Sequence, residues 1–424
     1  MMIKKILSRI SCFLHHSFPG VLTACLLLIS SGAISQSKSA PAKVWAGTWS
    51  SAPQLVEPRN MTPSPGLTNN SLRQVVRVSL GGDSLRVRFS NAFSTSPVTM
   101  KSVKIAASTG ASSIDRATIK KLKFDGKTRG TMASGAELTS DPVSFNLHSR
   151  MDLSITICFG QTSATVTGHP GSRTTSYLLP GNMTSSVDFD GSTPTDHWYI
   201  INGIDVKVPE PAAAVAIIGN SITDGRGSDT NKQNRWPDVL SERLLENPGT
   251  QHVSVLNLGI GGNCVLRDCL GPSALDRFDR DILQQNGVRW LIILEGINDL
   301  GQTIDSANAA QVAEDLIAAY GRMIDYAHAK GIRVYGATIL PFGKSFYATD
   351  YRETARNTVN DWIRDSGRFD AVIDFDKALR DPQDTTCLLP SAQSDYLHPN
   401  VEGYKMMGEV IDLELFAGSD TISH

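Results

Sequence analysis

The apolar pattern of this chain changes period near residue 210, and one layer of secondary structure cannot satisfy both periods. Between Val44 and Val206 apolar and polar residues alternate: Leu72, Gln74, Val76, Val78 and Leu80 share one face, against Arg73, Val75, Arg77 and Ser79 on the other. Gly81-Gly82-Asp83 reads as a turn into a return strand, where Leu85, Val87 and Phe89 alternate with Arg86 and Arg88; Leu153, Ile155, Ile157 and Phe159 repeat the pattern later. With no helical period over this stretch, residues 44–206 are predicted to form an antiparallel β-sandwich, an accessory domain. After Pro209-Glu210-Pro211 the pattern becomes strand, loop, helix. Ala214–Ile218, Val253–Asn257, Trp290–Leu294, Ile332–Ala337 and Ala371–Phe375 are short continuous apolar runs, as strands covered on both faces require. Between them, Pro237 stands in a first helical turn ahead of Leu240, Leu244 and Leu245; Val312, Leu316, Tyr320, Met323, Ile324 and Ala327 form an apolar stripe ended by Gly331. Residues 212–424 are therefore predicted to be an α/β domain, doubly wound around a parallel sheet of five strands.

The first 35 residues stand apart. Lys4, Lys5 and Arg9 precede an apolar stretch from Val21 to Ile29 that ends in small residues at Ala33-Ile34-Ser35, the pattern of a cleaved secretory signal peptide and too short for a membrane span. Its loss takes three positive charges and no negative ones, shifting the net charge from -2 to -5. Neither value, nor any long basic run, suits nucleic acid or an anionic membrane. The expected location is the periplasm or the extracellular space, with no stable membrane insertion. Of six cysteines, Cys158, Cys264, Cys269 and Cys387 remain after cleavage. Cys264 and Cys269, five apart in a Gly-rich loop, are the favoured pair, with free buried thiols as the alternative; the spacing lacks a zinc pattern, and no structural metal is expected.

In doubly wound sheets ligands bind at the carboxyl ends of the strands, so chemistry is sought just after each apolar run. The first run leads into Gly219-Asn220-Ser221-Ile222-Thr223-Asp224-Gly225, which puts a serine hydroxyl on a tight turn. The second leads into Asn257-Leu258-Gly259-Ile260-Gly261-Gly262-Asn263, whose glycines let backbone N–H groups approach an anion. Glu295-Gly296-Ile297-Asn298-Asp299 adds an amide donor after the third. Near the C terminus, Asp395-Tyr396-Leu397-His398-Pro399-Asn400 places a histidine three residues after a carboxylate.

These four ordered blocks, Ser then Gly then Asn then Asp-x-x-His, resemble the SGNH or GDSL hydrolases over Ala214 to roughly Leu415. The resemblance implies an SGNH/flavodoxin-like fold and an ester hydrolase that needs no cofactor. It makes Ser221 the nucleophile, His398 the general base and acid, and Asp395 the residue that orients His398. The oxyanion hole it implies comprises the Ser221 and Gly262 backbone N–H groups and the Asn298 amide. Gly262 is preferred over Gly259 and Gly261 because it lies five residues after Asn257, as in the family's second block. One position departs from the family: Asn220 stands where Asp is common before the serine. Trp45-Ala46-Gly47-Thr48-Trp49 and the Leu72 to Asn91 hairpin look like the forward extension of a secreted two-domain branch.

The expected substrate is a small-molecule or polysaccharide ester, most simply an acetyl or short acyl group on carbohydrate. A lipase or phospholipase is the alternative, and a catalytically silent carbohydrate-binding protein the alternative from another class. His169 and Arg173, in Thr167-Gly168-His169-Pro170-Gly171-Ser172-Arg173, are expected to be ordinary loop residues, with a place facing the cleft from the first domain as the alternative, and Asp224, Asp299 and Asp374 are expected to be solvated or capping.

Overall fold

Side chains alternate between the faces of a strand, so each strand of the N-terminal half can bury one face against a second sheet. The computed structural model, which describes residues 41–417, has this arrangement. β1 (Lys43–Ser50), β2 (Asn70–Arg77), β3 (Gly82–Ser90), β4 (Val98–Gly110), β5 (Val143–Leu147), β6 (Asp152–Phe159), β7 (Ser176–Pro180) and β8 (Ile201–Pro209) divide between two antiparallel sheets. One runs β1-β8-β3-β5, the other β7-β2-β6-β4 at its centre, and Leu72, Val87, Phe89, Ile105, Ile155 and Val206 lie in the apolar core they share. Each such side chain withdrawn from water contributes about 1.5–3 kcal/mol before the entropy of ordering it is counted. The expected leader lies outside the described residues.

The hairpin expected between Leu72 and Asn91 is not formed. β2 pairs with β6 and β7, β3 pairs with β8 and β5, and the chain crosses from one sheet to the other between them. Alternation states which face of a strand is buried. Two strands facing each other across a sandwich carry the same alternation as the two arms of a hairpin, so it does not state which strand is the neighbour.

After residue 212 come β9 (Ala213–Gly219), β10 (Val253–Gly259), β11 (Val288–Leu294), β12 (Arg333–Ala337) and β13 (Ala371–Ile373), paired in parallel in the order β10-β9-β11-β12-β13. All seven residues of β9 are buried, as a central strand covered on both faces requires. The helices that position or cover the site are α1 (Ser221–Asp224), α2 (Trp236–Glu246), α3 (Ile297–Gly301), α4 (Ser306–His328), α5 (Asp350–Asp365) and α6 (Val401–Val410). Pro237 lies in the first turn of α2, where its missing N–H costs no hydrogen bond, and α4 buries Leu316, Tyr320, Met323, Ile324 and Ala327. Among the described residues, no helix is long and apolar enough to cross a membrane.

The two halves have separate apolar cores, yet the described residues form one compact unit. Hydrogen bonds join them along β10, the edge strand of the parallel sheet. The Ser79 hydroxyl accepts from Val255 N (3.2 Å) and donates to Val255 O (2.9 Å), satisfying groups that an open edge would leave to another chain. Gly47 N donates to Asn286 O (2.8 Å), and the Asn286 amide donates to the buried Asp205 (2.9 Å). Cys264 and Cys269 form a disulfide, whereas Cys158 and Cys387 are free and buried.

Candidate active site

The chain leaves β9 toward β10 on one side and returns to β11 on the other, so the loops after β9 and β11 diverge and open a crevice at their carboxyl ends. Asn220 ends β9 in extended backbone, and its side-chain oxygen accepts from Ile222 N (3.0 Å), capping the single turn of α1. Ser221 is thereby held at the first position of that turn, its Oγ 2.9 Å from His398 Nε2. On the other side of the ring, Nδ1 lies 2.9 Å and 3.1 Å from the two oxygens of Asp395. His398 N also donates to Asp395 (2.8 Å), so the carboxylate fixes both the ring and its backbone.

Burial pushes the His398 imidazole below its ordinary value, against the hydrogen bond and charge of Asp395, and the charges of Arg226 and Arg173 push it the same way. Burial by itself would raise Asp395. Hydrogen bonds from the His398 backbone and ring outweigh that and hold the carboxyl below its ordinary value. A neutral imidazole beside an ionised carboxylate and a serine hydroxyl is competent to accept a proton.

A cleft of about 480 Å³ opens on Ser221, and His398, Gly262 and Asn298 line it together. Gly262 has φ +73°, a left-handed conformation natural to glycine, and a Cβ there would meet Leu270 at 2.8 Å. The Asn298 amide donates one N–H to Asn263 O (2.7 Å), and its oxygen accepts from the Tyr347 hydroxyl (3.1 Å). Both contacts hold the amide in one orientation, and the second N–H is left for a ligand. All the residues singled out at the strand ends, Ser221, Gly262, Asn298, Asp395 and His398, thus meet at one cleft.

The departure at Asn220 has a physical reason. Its Nδ2 lies 3.4 Å from Glu295 Oε2 and donates toward it, bridging the ends of β9 and β11. An aspartate in this place would bring a second carboxylate to the same distance from Glu295, which is fully buried beside Arg277 (3.5 Å). Burial pushes Glu295 up to about 8, with Arg277 opposing and Asp299 adding to the rise.

Two expectations are overturned. Asp224 and Asp299 are buried rather than solvated, and only Asp374 caps, accepting from Lys377 N at 3.0 Å. Asp299 accepts from Val265 N (2.9 Å) and Leu266 N (3.1 Å), pinning the loop that follows Gly262. Asp224, the last residue of α1, lies 2.9 Å from Nε2 of His169, whose Nδ1 is 2.9 Å from Ala52 O. His169 is therefore no ordinary loop residue, but a buried link between the antiparallel half and the turn that carries Ser221. Gly171 permits this approach, since a Cβ there would fall 1.8 Å from Asp224 Oδ2. Arg173 lines the cleft. Sequence reasoning also passed over Glu295, Tyr347 and Arg226. The run His-Pro-Gly-Ser-Arg holds functional side chains but has no period or spacing that states where its loop folds. Among the described residues, no group of three or more His, Cys, Asp or Glu is placed to hold a metal ion.

Residues 217–406 match the model of the GDSL-like lipase/acylhydrolase family. Residues 217–406 are a GDSL-like lipase/acylhydrolase domain. No curated protein matches the chain. Among solved structures, the chain is similar to a G-D-S-L family protein from Desulfitobacterium hafniense, with 24% identity over 47% of this chain and 97% of that one (TM-score 0.36). It is similar to an acetyl xylan esterase with 18% identity over 46% and 96% (TM-score 0.36), and to a GDSL-like lipase from Bacteroides thetaiotaomicron with 18% identity over 48% and 89% (TM-score 0.34).

Proposed function

We propose that Ser221, His398 and Asp395 form a catalytic triad that hydrolyses carboxylic esters through an acyl-enzyme. The observation that carries this is the unbroken relay of 2.9 Å contacts from Ser221 Oγ through His398 to Asp395, opening on a cleft that also holds Gly262 and Asn298. In this reading His398 Nε2 takes the serine proton as Oγ attacks the ester carbonyl carbon. Negative charge develops on the carbonyl oxygen and is met by the Ser221 and Gly262 N–H groups and the Asn298 amide. His398 returns the proton to the leaving alkoxide. It then deprotonates the water that releases the acid, and no cofactor takes part.

The proposed substrate is an acetyl or short acyl ester of a carbohydrate. The cleft supports this by its lining, in which Leu270, Leu397 and Phe346 are outnumbered by charged, amide, imidazole and hydroxyl side chains. Phe346 is 75% exposed at the cleft and offers a flat apolar face to a sugar ring. The division into an accessory half at 44–206 and a chemical half at 212–424 belongs to the same proposal, as does export behind the 1–35 leader. The Cys264–Cys269 disulfide supports an oxidising compartment.

The test is hydrolysis of p-nitrophenyl esters from acetate to decanoate by the protein and its Ser221→Ala variant. The expected result is activity that falls steeply beyond butyrate and vanishes in the variant. A maximum at medium or long chains would replace the carbohydrate reading with a lipase, equal activity in both proteins would remove Ser221 from its role, and inactivity of both would favour a binding protein.

A further inference from the structure

Three guanidinium groups and three carboxylates face the cleft, so its formal charge is balanced, but the carboxylates are engaged by neighbours and the guanidinium groups are not. Three acids face it beside the Ser221 hydroxyl, and each has a partner: Glu57 accepts from Gln54 (3.0 Å) and Asn60 (2.8 Å), Asp224 lies 2.9 Å from His169, and Asp395 is held by His398. Arg59, Arg173 and Arg226 face the same cleft, and among the described residues none of the three guanidinium groups has an ion pair, a ring contact or a hydrogen bond.

Arg173 is the most constrained of them. Its backbone is left-handed at φ +50°, a conformation that costs a non-glycine residue about 1 kcal/mol and persists where the surroundings impose it. Its carbonyl accepts from Asn231 N (2.9 Å) of the other half, and its Nε is buried with no partner. A buried guanidinium nitrogen left unpaired is costly, and guanidinium geometry matches a carboxylate in two parallel hydrogen bonds. Arg226 is exposed on the nucleophile side of the cleft and Arg59 on the wall built by the antiparallel half. His197 gives Nδ1 to Pro170 O (2.6 Å), which leaves Nε2 as an acceptor suited to a sugar hydroxyl.

We propose that the ester held in this cleft carries a carboxylate on its alcohol part, an O-acylated acidic sugar, with Arg173 as its principal binding residue and Arg59 and Arg226 at the rim. The inference rests on the esterase reading above and narrows its substrate. A short acyl group is uncharged, so the anion belongs to the alcohol. The predominantly polar lining, with few apolar side chains for acyl tails, favours a hydroxylated acid over the phosphate of a lipid.

Two matched probes test this: O-acetylated galacturonate oligomers as the free acid and as the neutral methyl ester. Acetate release by the full chain at low salt is expected to favour the free acid by tenfold or more in kcat/KM. The preference is expected to fall toward unity in Arg173→Gln, to fall partly in Arg226→Gln, whose exposed position leaves folding unaffected, and to shrink as salt rises. Calorimetric binding of the same oligomers to Ser221→Ala reads the preference without turnover. Equal turnover and equal binding of the two forms would overturn the inference while leaving the esterase intact. No acetate release, together with no action on p-nitrophenyl acetate, would defeat the esterase reading, and the calorimetry would still decide the anion preference. Stronger competition by glycerol phosphate or phosphatidylglycerol vesicles than by galacturonate would overturn the acidic sugar in favour of a phosphate.

Discussion

At the scale of one residue, the proposed reaction draws on Asn298 as a fixed donor. Its amide is held by Asn263 and Tyr347, so it needs no reorganisation when charge develops on a substrate oxygen. Asn298→Ala is expected to lower kcat by about 10²–10³ with a smaller change in KM, read on p-nitrophenyl acetate. His398 is held below the ordinary imidazole value of 6.5 by burial, and the proposed mechanism requires its neutral form. The acid limb of the kcat/KM profile is therefore expected to have its midpoint below 6.5; a midpoint above that value would mean that Asp395 outweighs burial. Glu295 titrates the opposite way. Its folded value of about 8 exceeds the ordinary 4.5, so the native state keeps a proton that the unfolded chain has lost, and stability falls as pH rises from about 4.5 to about 8. Urea midpoints of Glu295→Gln are expected to vary less over that range than those of the unsubstituted protein.

Among the elements, the loop after β10 is tied down at both ends of a short span, by the Cys264–Cys269 disulfide and by the two hydrogen bonds from its backbone to Asp299. The closed loop is short, so the disulfide restricts the unfolded chain only modestly. Replacing both cysteines by serine is expected to cost about 2 kcal/mol in urea unfolding. The pairing of Cys264 with Cys269 was one of two alternatives in the sequence, because spacing permits a bridge without requiring one. Strand and helix positions were more legible. The runs at 214–218, 253–257 and 290–294 lie within β9, β10 and β11, since a central parallel strand has no solvent face and must be apolar throughout. The pairing of β2 and β3 was not legible, because partner choice depends on where whole sheets lie.

For the whole molecule, the antiparallel half supplies Ser79 to the edge of β10 and His169 to the end of α1, and these bonds cross between separate apolar cores. Calorimetry is expected to show one cooperative unfolding transition for the described unit; two resolved transitions would mean that the halves melt independently. The sequence by itself determined the two periods, the parallel strands and the four blocks at their ends, because each is a local pattern along the chain: burial of both faces, a tight turn at a strand end, a carboxylate three residues before a histidine. It did not determine that Arg173 and Asp224 line the cleft, or that His169 contacts Asp224. His169 and Asp224 are 55 residues apart and meet only where the two halves pack, and no periodicity or spacing encodes a contact between separately folded layers. That contact, the unpaired charge of Arg173 and the choice of Asn220 opposite a buried Glu295 were decided by tertiary structure, which alone sets what surrounds a buried polar group.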